Sequence, residues 1–186
     1  MTELVNLRSL RDRPFELLQE LERRSRAVAV GSDTPGGVED EWVGVAFRIG
    51  DDQLLAAREE VREVLPIPTT TRVPGAVFWV RGLANVRGQL LPLTDLRGLL
   101  EGEPTRQTRM SRVLVVNHRQ IPVGLIVDEV LGFRRFDESE AVDIDRVGPS
   151  AYQSLITRAY ARDDKVSPVI GLIELVESER FLRAAE

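Results

Sequence analysis

The chain of 186 residues sets 25 Lys+Arg against 30 Asp+Glu, a formal net charge of −5, and contains one histidine and no cysteine. Without cysteine there can be no thiol nucleophile, disulfide, zinc-thiolate site or iron–sulfur cluster, and any His-based triad or metal site would have to be built around His118 alone. An acidic balance argues against wholesale binding of nucleic acid or an anionic membrane, since both need a net basic face. In chain order, the first thirty residues hold no continuous apolar run, which excludes a secretory signal and suits a cytoplasmic protein. After Asp12 and Pro14, Phe15, Leu17, Leu18 and Leu21 fall on one side of a helical wheel. Glu16, Glu20, Arg23 and Arg24 fall on the other, predicting an amphipathic helix that continues towards Ala29. Residues 31–41 are small, acidic and helix-breaking, the composition of a flexible linker. The chain therefore divides into a helix and linker over 1–41 and a main domain over 42–186.

From Trp42 the apolar period drops from 3.6 to 2. Val43, Val45, Phe47 and Ile49 mark a first strand, with a turn at 50–52 and a return over 53–57. Residues 58–64 read as short and mixed, ahead of a stretch punctuated by Pro66, Pro68 and Pro74. Strands follow over 82–86 and 89–94, joined at Arg87-Gly88. Pro92 places the second of these at a sheet edge or a bulge. Residues 95–100 form a helical turn or two capped by Asp95. Further strands are expected over 112–116, 122–127 and 130–136, then an exposed acidic loop over 137–150. A hairpin over 154–162 and 166–174 and a closing helix over 175–185 complete the chain. Many short hairpin-linked strands with helices at the margins predict a mainly β protein, barrels or a sandwich, in two halves of about seventy residues each. For Val61, Val64 and Leu65, burial within the first half is expected.

Catalytic signals are thin. His118 lies in a turn with no nucleophile or orienting acid proposed by the spacing, so a solvent-exposed turn residue is the simpler reading. The acids of 137–145 lack calcium-loop spacing. With Lys165 the one lysine in the chain, no phosphate-cradling Gly-x-x-x-x-Gly-Lys loop exists. No enzyme, cofactor or metal site is expected.

Two stretches are more specific. In the first, Gly82, Asn85, Arg87, Gly88, Pro92, Asp95 and Leu96 stand in the spacing Gly-x-x-Asn-x-Arg-Gly-x-x-x-Pro-x-x-Asp-Leu. The second is Val123-Gly124-Leu125-Ile126-Val127-Asp128-Glu129-Val130. Together they resemble the CheW family of chemosensory coupling proteins, over about residues 42–182. The resemblance implies two small five-stranded antiparallel β-barrels side by side and no catalytic residues. It also implies a scaffold that joins the cytoplasmic tip of a methyl-accepting receptor to a CheA-type histidine kinase. Val61, Glu63, Gly82, Asn85, Arg87 and Gly88 are the candidate partner-binding residues. Arg87 projects from a tight turn, where its planar fork suits a carboxylate. It can clamp the turn to Glu63 or contact a partner directly, and both readings stand. The helix and linker ahead of the barrels resemble the PilI-type branch, which serves type IV pilus twitching motility. A flagellar coupling protein is the alternative within the family. A β-barrel nucleic-acid module and an undetected hydrolase are the readings outside it.

Overall fold

The computed structural model describes residues 41–183. The N-terminal helix and the linker up to residue 40 lie outside the described residues. Strands β1 (Glu41–Ile49) and β2 (Asp52–Ala57) form a hairpin that leads through a 3-10 turn, Arg58–Glu60, into β3 (Val61–Pro66). There follow β4 (Thr70–Thr71), β5 (Val80–Val86), β6 (Gln89–Asp95), α1 (Leu96–Glu101), β7 (Arg112–Val116) and β8 (Gly124–Val127). Then come β9 (Glu129–Asp137), β10 (Ala141–Val142), β11 (Ile156–Arg162), β12 (Lys165–Ile170), α2 (Leu172–Glu177) and α3 (Glu179–Leu182).

The strands make two six-stranded sheets, ordered β10-β11-β12-β2-β1-β9 and β3-β7-β8-β6-β5-β4. The mainly β class is as expected, but the division is not into sequential halves. The second sheet is an insert over β3–β8, and the chain ends on either side of it close the first sheet. Two strand contacts are parallel, β12 against β2 across the insert and β6 against β8 within it. The sixth strand of each sheet is a two-residue bridge, β4 or β10. Elements that short carry no period for a sequence to display.

Alternation along the central strands explains how three apolar clusters coexist. Val45, Phe47 and Ile49 of β1 point between the sheets, where they meet Leu114 and Val116 of β7 and Leu125 and Val127 of β8. Ala46 points the other way, into a cluster with Leu55, Phe136, Tyr160 and Val169 inside the first sheet. Val113, Val115 and Ile126 likewise face Ala84, Leu91 and Leu93 inside the second. Strands buried on both faces read as nearly continuous apolar runs, which is what residues 123–127 show. Between the ends of the first sheet, Arg162 of β11 donates to both Glu140 oxygens at 2.6 and 2.7 Å and to the Arg135 carbonyl of β9 at 2.7 Å. Its guanidinium also lies 4.7 Å from the Phe136 ring centre. Those hydrogen bonds, with the Asp137 N–H, pull the Glu140 carboxyl down to about 2.

Several local expectations are corrected. Residues 61–66 form edge strand β3, whose outward side chains alternate with inward ones, so its composition is mixed. Val64, expected to be buried, is 39% exposed there. Strand β6 is interior rather than at an edge. Pro92 is tolerated because the ladder to β8 begins only at Leu93, so Pro92 lies beyond it on that side. The acidic segment after Asp137 is partly ordered as a 3-10 turn and β10 rather than an open loop, and Leu172–Glu177 is helical rather than the end of a strand.

Candidate functional site

Strands β5 and β6 meet in a two-residue turn in which Arg87 has φ 52° and Gly88 φ 82°. Two consecutive left-handed residues match the right-handed strand twist, which is why such turns favour Asn and Gly. Gly88 meets this demand at no steric cost, whereas Arg87 adopts a conformation uncommon for a side-chain-bearing residue. The Gly88 N–H donates to Asn85 Oδ1 at 2.9 Å, fixing the turn. Backbone strain of this kind points to what the side chain does. Arg87 Nη2 lies 2.9 Å from Glu63 Oε2 on edge strand β3, with Arg87 77% and Glu63 22% exposed. The pair ties the hairpin tip to β3, while most of the guanidinium still faces solvent.

The pair forms one wall of a cleft of about 410 Å³. Arg62 and Arg119 join Arg87 around it, with Glu63 as its one lining carboxylate among the described residues and Val86, Leu91, Val115 and Pro122 supplying apolar floor. Leu90 lines it too and is 66% exposed. A cleft with a basic rim and an apolar floor suits a partner surface that is apolar with acidic side chains at its margin.

Of the six residues singled out from sequence, the cleft brings together Glu63 and Arg87. Asn85 and Gly88 hold the turn beside it. Val61 packs against the core between the sheets, and Gly82 is buried beneath β4. Leu90, Arg62, Arg119 and His118 also line the cleft and are not among those six. Leu90 lies between turn and motif proline, where an apolar residue reads as ordinary strand core.

His118 also departs from the solvent-exposed reading. Its side chain is 11% exposed, and Nε2 lies 3.0 Å from Glu177 Oε1 on α2. At the other end of α2, Glu60 Oε2 accepts the Leu172 N–H at 2.7 Å, capping the N-terminus of the helix from the 3-10 turn that joins the sheets. Burial pushes the Glu60 carboxyl above its usual range, against the backbone hydrogen bonds. A carboxyl raised in the folded state costs stability when ionised, so stability rises as pH falls through its folded pKa. Glu60→Gln keeps the acceptor and removes the charge. Its stability at neutral pH should therefore equal or exceed wild type, without that rise on acidification. Glu60→Ala should lose about 1 kcal/mol with the cap. Urea midpoints over a pH series read both, and a Gln variant as damaged as the Ala variant would refute the account.

The CheW-like domain family matches residues 43–180. The chain belongs to that family. Protein PilI of Pseudomonas aeruginosa is 44% identical over 123 residues, covering 66% of this chain and 69% of PilI. Chemotaxis protein CheW of Thermotoga maritima is 28% identical over 100 residues, covering 54% of this chain and 66% of that protein. The crystal structure of scaffolding protein TtCheW from Thermoanaerobacter tengcongensis shares the fold at a TM-score of 0.65 and 24% identity. That match covers 75% of this chain and 94% of the other. CheW-like proteins are non-catalytic chemosensory adaptors, coupling receptors and CheA kinase. Among the described residues, no helix is long and apolar enough to cross a membrane.

Proposed function

We propose that this CheW-like chain couples the cytoplasmic tip of a methyl-accepting receptor to a CheA-type histidine kinase, in control of type IV pilus twitching motility. The observation that carries the reading is the Arg87–Glu63 pair at 2.9 Å, set in a cleft rimmed by arginines with Leu90 exposed beside it. Its mechanism is geometric: the cleft takes one partner, receptor state alters the orientation of the kinase, and no phosphoryl group passes through the adaptor. The pilus assignment is supported by the 44% identity to PilI. The segment over 1–41, expected from sequence as a helix and linker, then serves as an extension to the adaptor domain over 42–186.

An exposed ion pair contributes only about 0.2–1 kcal/mol, so Arg87→Glu should leave the fold intact. It places a second carboxylate against Glu63 and reverses one charge on the rim. Retention of the CheA-type kinase in a pull-down should fall at least about tenfold, a change worth about 1.4 kcal/mol. Kinase retained at the wild-type level by a folded Arg87→Glu protein would remove Arg87 from the interface. Loss of twitching with normal swimming in a deletion strain would separate the pilus pathway from the flagellar one.

A further inference from the structure

We propose that His118 is a proton-sensitive latch: neutral, it holds the turn at residues 118–121 closed beside the cleft, and protonated, it releases it. His118 Nδ1 accepts two backbone N–H groups, from Ile121 at 2.9 Å and Gln120 at 3.2 Å. An imidazole nitrogen that accepts carries no proton, so the neutral ring has its hydrogen on Nε2, where it donates to Glu177 Oε1. Both ring nitrogens are thus committed, one to the turn and one to α2. The turn is otherwise fixed at its start, where the Asn117 N–H donates to the Glu60 carbonyl at 2.8 Å and Asn117 Nδ2 to the Glu59 carbonyl at 2.8 Å. Ile121, at its far end, packs against the core between the sheets.

Protonation adds a hydrogen to Nδ1, the atom that accepts. The imidazolium then sets an N–H against two other N–H donors, and those hydrogen bonds cannot persist. The bond to Glu177 survives and gains charge, so the ring stays with α2 while the turn lets go. Glu177 on α2 is the carboxylate bonded to the ring, and Glu63, Arg62, Arg87 and Arg119 are the charged groups that line the cleft with it. Arg119 and Pro122 line the cleft from this turn and its end, so opening the turn reshapes the wall facing the Arg87–Glu63 pair. Resting on the docking proposed above for this step alone, partner affinity at the cleft changes as His118 becomes charged and the wall moves.

Histidine changes charge between about pH 5 and pH 8, and amide exchange across that range tests the latch without any partner. In the wild-type protein, Nitrogen-15 shifts of the ring should report the Nε2–H tautomer at the upper end. Protection of the Gln120 and Ile121 amides, corrected for intrinsic exchange, should drop at least about tenfold on acidification, as expected when a local hydrogen bond opens. His118→Asn supplies a side-chain oxygen that can accept the same amides and does not titrate. Its protection should stay flat with pH. A wild-type protection that does not change with pH, an Nδ1–H tautomer, or an undiminished drop in His118→Asn would each overturn the latch. Kinase pull-down at both pH extremes keeps the two proposals apart. A pH-dependent affinity in wild type that flattens in His118→Asn supports the last step, and one equally pH-dependent in both proteins overturns that step. Absence of kinase binding at every pH with a working latch counts against the docking reading instead.

Discussion

Tyr160→Ala is expected to lower the stability of the domain by about 3–5 kcal/mol, the usual cost of deleting a large buried aromatic. Tyr160 is fully buried in strand β11, with Phe136 stacked at 4.8 Å between ring centres and Trp42 at 4.9 Å on β1. The cluster inside the first sheet is small, with Ala46, Leu55 and Val169 as its other buried members. Removing one ring therefore leaves a void that Ala46, Leu55 and Val169 cannot fill. Against a typical total of about 5–15 kcal/mol, that is a large share. Because the cluster between the sheets draws on β1, β2, β7, β8 and α2 together, the whole domain should unfold in one transition. Tyr160→Phe is the control. Its hydroxyl receives only a 3.5 Å contact from Arg158 Nη1, so its loss should cost less than about 1.5 kcal/mol. Urea denaturation followed by fluorescence and circular dichroism measures both variants. Separate transitions for the two probes, or an alanine variant as stable as the phenylalanine one, would contradict the shared-core account.

Sequence periodicity located most of the strands, because residues buried on one or both faces at period 2 announce themselves. It did not reveal the nesting. Residues 122–127 and 130–136 read as successive strands with no sign of a crossing, but Asp128 separates strands in different sheets, β8 in one and β9 in the other. No local pattern distinguishes a strand that stays in its sheet from one that crosses to the next. Edge strand β3 was missed for a related reason: Arg62 and Val64 face outward and Glu63 partly inward, so its apolar signal is halved. At the candidate site, the Asn-x-Arg-Gly turn was legible because its chemistry is local. The Asn85 side chain reaches only to Gly88. The pairing of Arg87 with Glu63 could be suspected only through the family resemblance, since the two lie on strands far apart in sequence. His118 was misread because what fills its environment, the Glu177 carboxylate, comes from 59 residues away.

The motif glycines sort by what a Cβ would meet, and Gly82→Ala carries the larger expected loss. Gly82 has φ 131°, and an added Cβ would stand 2.2 Å from the Thr71 carbonyl oxygen and 2.9 Å from Thr70 Cγ2. The nearest atom is backbone, held by the pairing of Thr70 with Ala84 and Thr71 with Leu83. Strain at such a φ costs about 1–3 kcal/mol and overpacking a similar amount, giving about 2–6 kcal/mol in all. The alternative response is for β4 to detach, which would uncover the apolar cluster that holds Ala84 and Leu91. Either outcome lowers the urea midpoint. Gly88→Ala isolates the backbone contribution, because its Cβ would meet nothing within 4 Å although φ is 82°. That variant should lose only about 1–2 kcal/mol. In the docking proposed above, Gly82 would act through the position of β5 and the turn it leads into, as its burial beside β4 implies. A Gly82→Ala protein of wild-type stability that failed to bind the kinase would reverse that assignment and place Gly82 in the interface itself.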